Sequence, residues 1–113
     1  MARLNYVELP ASDVKASRSF YEQAFGWRMT DFGPTYAATT SGDTDLGLQG
    51  DQAEGPKAPL PVIEVGDIEA VLAAVERAGG TIVRPIFSFP GGRRFQFRDP
   101  SGNELAVSHT TAE

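Results

Sequence analysis

Tyr6-Val7-Glu8-Leu9-Pro10-Ala11-Ser12-Asp13, continuing Val14 to Gly26 as VKASRSFYEQAFG, is the stretch whose reading decides the fold. It sets out an alternating strand, an Asp that caps a helix, an amphipathic run, and a Gly that ends the run. Val14, Ser17, Phe20, Tyr21, Ala24 and Phe25 recur at helical steps and predict one buried stripe. The plan returns from Val62 as VIEVGDIEAVLAAVERAGG, with Asp67 as the cap, Ile68, Val71, Leu72 and Val75 as the stripe, and Gly79-Gly80 as the stop. The two aspartates lie about half the chain apart, the mark of an internal duplication. A module this small leaves one sheet face in need of cover, and two paired modules can enclose a cleft.

Working outward, Trp27 to Phe32, Thr35 to Thr40 and Leu46 to Gly50 read as short strands, parted by Gly33-Pro34 and Gly42-Asp43 turns. The first module covers about residues 1–50, and Asp51 to Pro59, rich in Gly, Pro and Ala, reads as a linker. The second module covers about residues 60–113, with strands at Thr81 to Ile86, Arg94 to Arg98 and Glu104 to Ser108. Asp99-Pro100-Ser101-Gly102 carries type I turn chemistry, so a hairpin is expected there. The order strand, helix, three strands, stated twice, makes this an α+β chain.

With 113 residues the chain is expected to be a single domain with a modest core. Ten Lys and Arg stand against fifteen Asp and Glu, giving a net charge of −5, which argues against nucleic acid as a partner. There is no Cys, so disulfides, thiolate ligands and a thiol nucleophile are excluded. No apolar run approaches the ~20 residues of a membrane span, and no signal segment precedes the first strand. A cytoplasmic location and no membrane partner are the expectation.

Taken together, Tyr6 to Asp13, Ser19-Phe20-Tyr21, Phe25-Gly26-Trp27 and Asp99-Pro100-Ser101-Gly102-Asn103 resemble the vicinal oxygen chelate superfamily, the group of glyoxalase I, bleomycin-resistance proteins and extradiol dioxygenases. The resemblance covers nearly the whole chain. It implies two paired βαβββ modules forming a curved, cup-like mixed sheet with helices outside, often completed by a homodimer, and a metal and substrate held inside the cup.

The metal is where the sequence departs from that pattern. The place of the family's first ligand is Tyr6, that of the second module's first strand is Leu60 or Pro61, and that of the closing strand is Ala106. A fourth ligand would lie on Leu46 to Gly50, where Gln49 is the one plausible donor. A divalent ion needs several converging N or O donors, so no metal-ligating residue is assigned and no cofactor is expected. A displaced metal is the rescue to weigh, because Glu8 stands beside Tyr6 and Glu104 beside Ala106 at strand spacing. The same carboxylates could act as general acid or base, or could simply be hydrogen-bonded or solvated.

The remaining candidates carry ordinary alternatives. Trp27, Tyr36, Phe95 and Phe97 can line an apolar cleft or fill a core. Arg93, Arg94 and Arg98 can steer an anion or edge a strand, and His109, the one imidazole, reads as a tail residue. The expected function is binding of a small organic molecule through Tyr6, Glu8, Trp27, Tyr36, Gln49, Phe95, Phe97 and Glu104. One alternative is a lyase, isomerase or dioxygenase-like enzyme using Glu8 or Glu104. Another is a structural or regulatory dimer module.

Overall fold

The computed structural model describes residues 2–110. They form two compact units, one spanning Asn5–Leu60 and the other running from Pro61 together with the chain start up to Leu4.

In the first unit, β1 (Arg3–Pro10) leads into α1 (Val14–Phe25), β2 (Thr30–Asp31), β3 (Tyr36–Ala38) and β4 (Asp45–Gln49). Its strands stand in the order β2-β3-β4-β1, with β1 parallel to β4 and the other pairs antiparallel. The second unit repeats this with β5 (Leu60–Glu64), α2 (Ile68–Arg77), β6 (Thr81–Phe89), β7 (Gly92–Arg98) and β8 (Glu104–Thr110). Its order is β5-β8-β7-β6, with β5 parallel to β8. Strand for strand the two topologies are the same, so the duplication read from the capping aspartates is a duplication of fold.

Both caps form as expected. The Asp13 carboxylate accepts from the Ala16 amide at 3.0 Å and that of Asp67 from Ala70 at 3.1 Å, each satisfying a helix-start amide that has no partner within the helix. Gly26 closes α1 at φ +72°, a left-handed conformation that costs a Cβ-bearing residue energy, and its amide reaches back to Glu22. The Asp99 turn is tied by its carboxylate to the Ser101 and Asn103 amides, both at 2.9 Å.

Each unit packs its helix on one sheet face. Ala11, Met29 and Leu48 make the first core, with Leu9, Val14, Tyr21 and Leu46 against it. Val65, Ile68, Phe95 and Val107 make the second, flanked by Val71, Leu72, Val75 and Phe97. Truncating Phe95, fully buried, to Ala would cost on the order of 3–5 kcal/mol in transfer and cavity terms.

The α1 stripe departs from expectation. Phe20 and Phe25 are each 60% exposed, and Ala24 also faces out. The inward face is instead Val14, Ser17, Arg18, Tyr21 and Glu22, half-buried, because Arg18 and Glu22 clamp the helix to the segment after it. Arg18 pairs with Glu22 at 3.3 Å and with Asp31 at 2.7 Å, and Glu22 accepts the Met29 amide at 3.0 Å. That clamp also takes Trp27 to Met29 out of the strand expected there, leaving β2 short. In the second unit β6 to β8 run longer than expected, so His109 lies in β8 opposite Arg93 and not in a loose tail, with Nδ1 3.0 Å from the Val65 carbonyl oxygen.

Candidate functional site

Tyr6 and Glu8, two apart on β1, face away from α1, while Leu9 joins the core beneath the helix. Glu8 is opposite Gly47 of the parallel neighbour β4, and Ala38 of β3 is opposite Gly47 on the other side. Here the fold brings three of the expected residues together. Tyr36 Oη donates to Glu8 Oε2 at 3.2 Å, and the Tyr6 and Tyr36 hydroxyls share a short hydrogen bond.

Gly47 makes this convergence possible, and its role was not anticipated. A Cβ at Gly47 would collide with both phenolic oxygens and lie 2.8 Å from Tyr6 Cζ. The signal was a glycine within the alternating run Leu46-Gly47-Leu48-Gln49, a pattern that marks close approach of another group to the strand. Glu8 is buried, at 4% exposure, within this polar knot. Burial first, then the neighbouring Tyr6 and Glu8, pushes the Tyr36 phenol far above its ordinary pKa, so it remains a hydrogen-bond donor throughout the physiological range.

The other candidates lie elsewhere. Gln49 shares the face of Gly47 along β4, but its Oε1 accepts the Asp51 amide at 2.9 Å and is spent on the following turn. Trp27 lies at the end of α1 in an aromatic set, stacked on Tyr21 at 5.7 Å between centroids and 5.3 Å from Phe25. Phe95 is fully buried in the second core and Phe97 packs against that core, both on the α2 side of β7. Glu104 belongs to the second unit, where Gln96 Nε2 donates to it at 2.7 Å and Arg98 lies 3.9 Å away. The three arginines do not act as one patch. Arg93 turns to Glu69 of α2 at 2.6 Å, whereas Arg94 donates to Gln96 at 3.3 Å on the opposite face.

A family model described as the Glyoxalase/Bleomycin resistance protein/Dioxygenase superfamily matches residues 3–107. The chain belongs to that superfamily. A "Glyoxylase-like domain-containing protein" of Didymella fabae is 32% identical over 117 residues, covering 93% of this chain and 91% of the relative. CFP32 of Mycobacterium tuberculosis, provisionally named a glyoxylase, is 30% identical over 114 residues, covering 91% of this chain. The chain spans only 44% of that longer relative. Among solved structures, methylmalonyl-CoA epimerase from Mycobacterium tuberculosis matches with a TM-score of 0.75 at 14% identity, over 96% of this chain and 88% of that one. That likeness speaks for the α+β fold of repeated βαβββ modules.

The superfamily's metal can be tested against the residues at its ligand positions. Tyr6 is engaged with Tyr36; the β4 residues alternating onto its face are Asp45, whose carboxylate is taken by Thr39, Ser41 and Gly42, then Gly47 and Gln49; and Leu60 and Ala106 are buried without side-chain donors. Among the described residues no three His, Cys, Asp or Glu side chains gather. Two phenols hydrogen-bonded to each other and one buried carboxylate do not make the donor set a divalent ion requires, so these residues do not fit the group. Among the described residues, no helix is long and apolar enough to cross a membrane.

Proposed function

We propose that this superfamily member binds a small organic molecule without a metal, on the face carrying Tyr6, Glu8 and Tyr36. The observation that carries the reading is the Tyr6–Tyr36–Glu8 hydrogen-bonded chain laid over Gly47. Burying a carboxylate is costly unless it is hydrogen-bonded, and Tyr36 offsets that cost, while a few fixed polar groups of this kind suffice to orient a small ligand. Glu8 recognises hydrogen-bond donors such as hydroxyl or amide groups, since a carboxylate accepts at up to about four positions. Tyr36 holds Glu8 in place and Tyr6 completes the polar edge.

A second reading is favoured by the same carboxylate. Glu8 could take a proton from a carbon acid, with Tyr36 fixing its orientation, which is chemistry of the lyase or isomerase kind. The two readings part on turnover. A metabolite panel screened by thermal shift in the presence of EDTA, followed by proton NMR of each hit in D2O, would return the ligand unchanged if binding is the function. Deuterium entering the ligand would favour the enzyme. A panel in which no hit weakens on Tyr36→Phe or Glu8→Gln would overturn both.

A further inference from the structure

We propose that the first unit carries a second binding cleft, on its α1 side, that takes a flat ring bearing one carboxylate. Val7 of β1 and Leu46 of β4, which are register partners, form an apolar floor. One wall is Trp27-Arg28, directly after α1, and the other is the β3–β4 hairpin over residues 39–45. The cleft measures about 550 Å³, within the range of roughly 300–1,000 Å³ that holds small ligands. Val7 and Leu46 alternate with Glu8 and Gly47 along their strands, so this cleft and the Tyr6–Tyr36–Glu8 site face opposite ways.

Three features of the walls set the ligand class. The Trp27 ring is 40% exposed yet held in orientation by stacking on Tyr21, with the planes only 8° apart, which provides a fixed aromatic surface. Arg28 is exposed and makes no hydrogen bond or ion pair with any other described residue, unlike Arg18 nearby, so its guanidinium is available to a carboxylate. The facing hairpin is tied together by one carboxylate. Asp45 gathers it by accepting from Thr39 Oγ1 at 2.7 Å, the Ser41 amide at 2.8 Å, Ser41 Oγ at 2.7 Å and the Gly42 amide at 3.1 Å. Those four donors engage the Asp45 charge, and the other hairpin side chains lining the cleft, Thr39, Thr40, Ser41 and Thr44, carry hydroxyls.

The test uses the fact that Trp27 is the sole tryptophan, so the protein has one indole N–H resonance. Titration with benzoate, followed by two-dimensional NMR, is expected to shift that resonance and the Val7 and Leu46 amides saturably. Benzyl alcohol, which has the ring without the charge, should bind about fivefold or more weakly, and Arg28→Gln should weaken benzoate by a similar factor while leaving benzyl alcohol unchanged. Tyr36→Phe should leave benzoate binding intact, which separates this cleft from the site proposed above. Absence of saturation with benzoate, shifts confined to the face of Tyr6 and Glu8, or undiminished benzoate affinity in Arg28→Gln would each overturn the proposal.

Discussion

Tyr36 on β3 donates its phenolic hydrogen bond to Glu8 on β1 although the two strands are not neighbours, since β4 runs between them. Adjacent strands lie about 4.8 Å apart, so the contact spans two strand spacings and has to pass over the middle strand. It does so at Gly47, where β4 presents no side chain. One glycine therefore links strand geometry to the burial of a carboxylate and to the polar edge assigned here to ligand recognition.

The clearest consequence concerns Gly47→Ala. The added methyl group meets both phenolic oxygens, and urea denaturation should show a loss of about 1–3 kcal/mol, the usual cost of overpacking. Pairing it with Tyr36→Ala should relieve much of that loss. Additive effects in the double-mutant cycle would mean that the two residues do not meet.

Tyr36 gives a pH signature. Its folded-state pKa is raised, by burial first, so the folded chain keeps a proton that the unfolded chain gives up above its ordinary value of 10.0. The associated stability is fully present below that value and is lost as pH rises beyond it. Denaturation midpoints measured at increasing pH should fall more steeply for the wild type than for Tyr36→Phe in the alkaline range, and parallel slopes would contradict the assignment.

Glu8→Gln preserves shape and retains a carbonyl oxygen that can accept from Tyr36. Stability should stay within about 1 kcal/mol of wild type while the response to ligand is lost, as expected for a group that does not carry core packing. A larger loss of stability with ligand response intact would assign Glu8 to structure alone.

Elemental analysis of purified protein after mild dialysis should find no stoichiometric transition metal, given Tyr6, Leu60 or Pro61, and Ala106 at the superfamily's ligand positions. Close to one metal per chain, lost on Glu8→Ala or Glu104→Ala, would establish a displaced site.

Sedimentation at micromolar concentration is expected to show a homodimer. Phe20, Phe25 and Phe32 remain more than half exposed, more aromatic surface than a monomer this small ordinarily shows to water. A clean monomer would remove the expectation.

Much of the fold was legible because it is written in local chemistry. The Asp13 and Asp67 caps, the Gly26 stop and the Asp99 turn act within a few residues of themselves, so spacing suffices to place them. The helical stripe was harder. Phe20 and Phe25 fit the period, but the long-range pairing of Arg18 with Asp31 turned α1 so that both rings face out.

For the candidate site, the sequence by itself determined that Tyr6 and Glu8 share one face of a strand, because residues two apart on a pleated backbone always do. It could not determine what they would meet. That depends on the register between β1, β4 and β3, which is set by pairing across the whole unit, and a shift of one residue would have put Leu48 in place of Gly47. The same dependence sent Phe95 and Phe97 under α2 and turned Gln49 to its own loop. Alternation fixes which residues travel together, and only tertiary packing fixes which side of the sheet the helix covers.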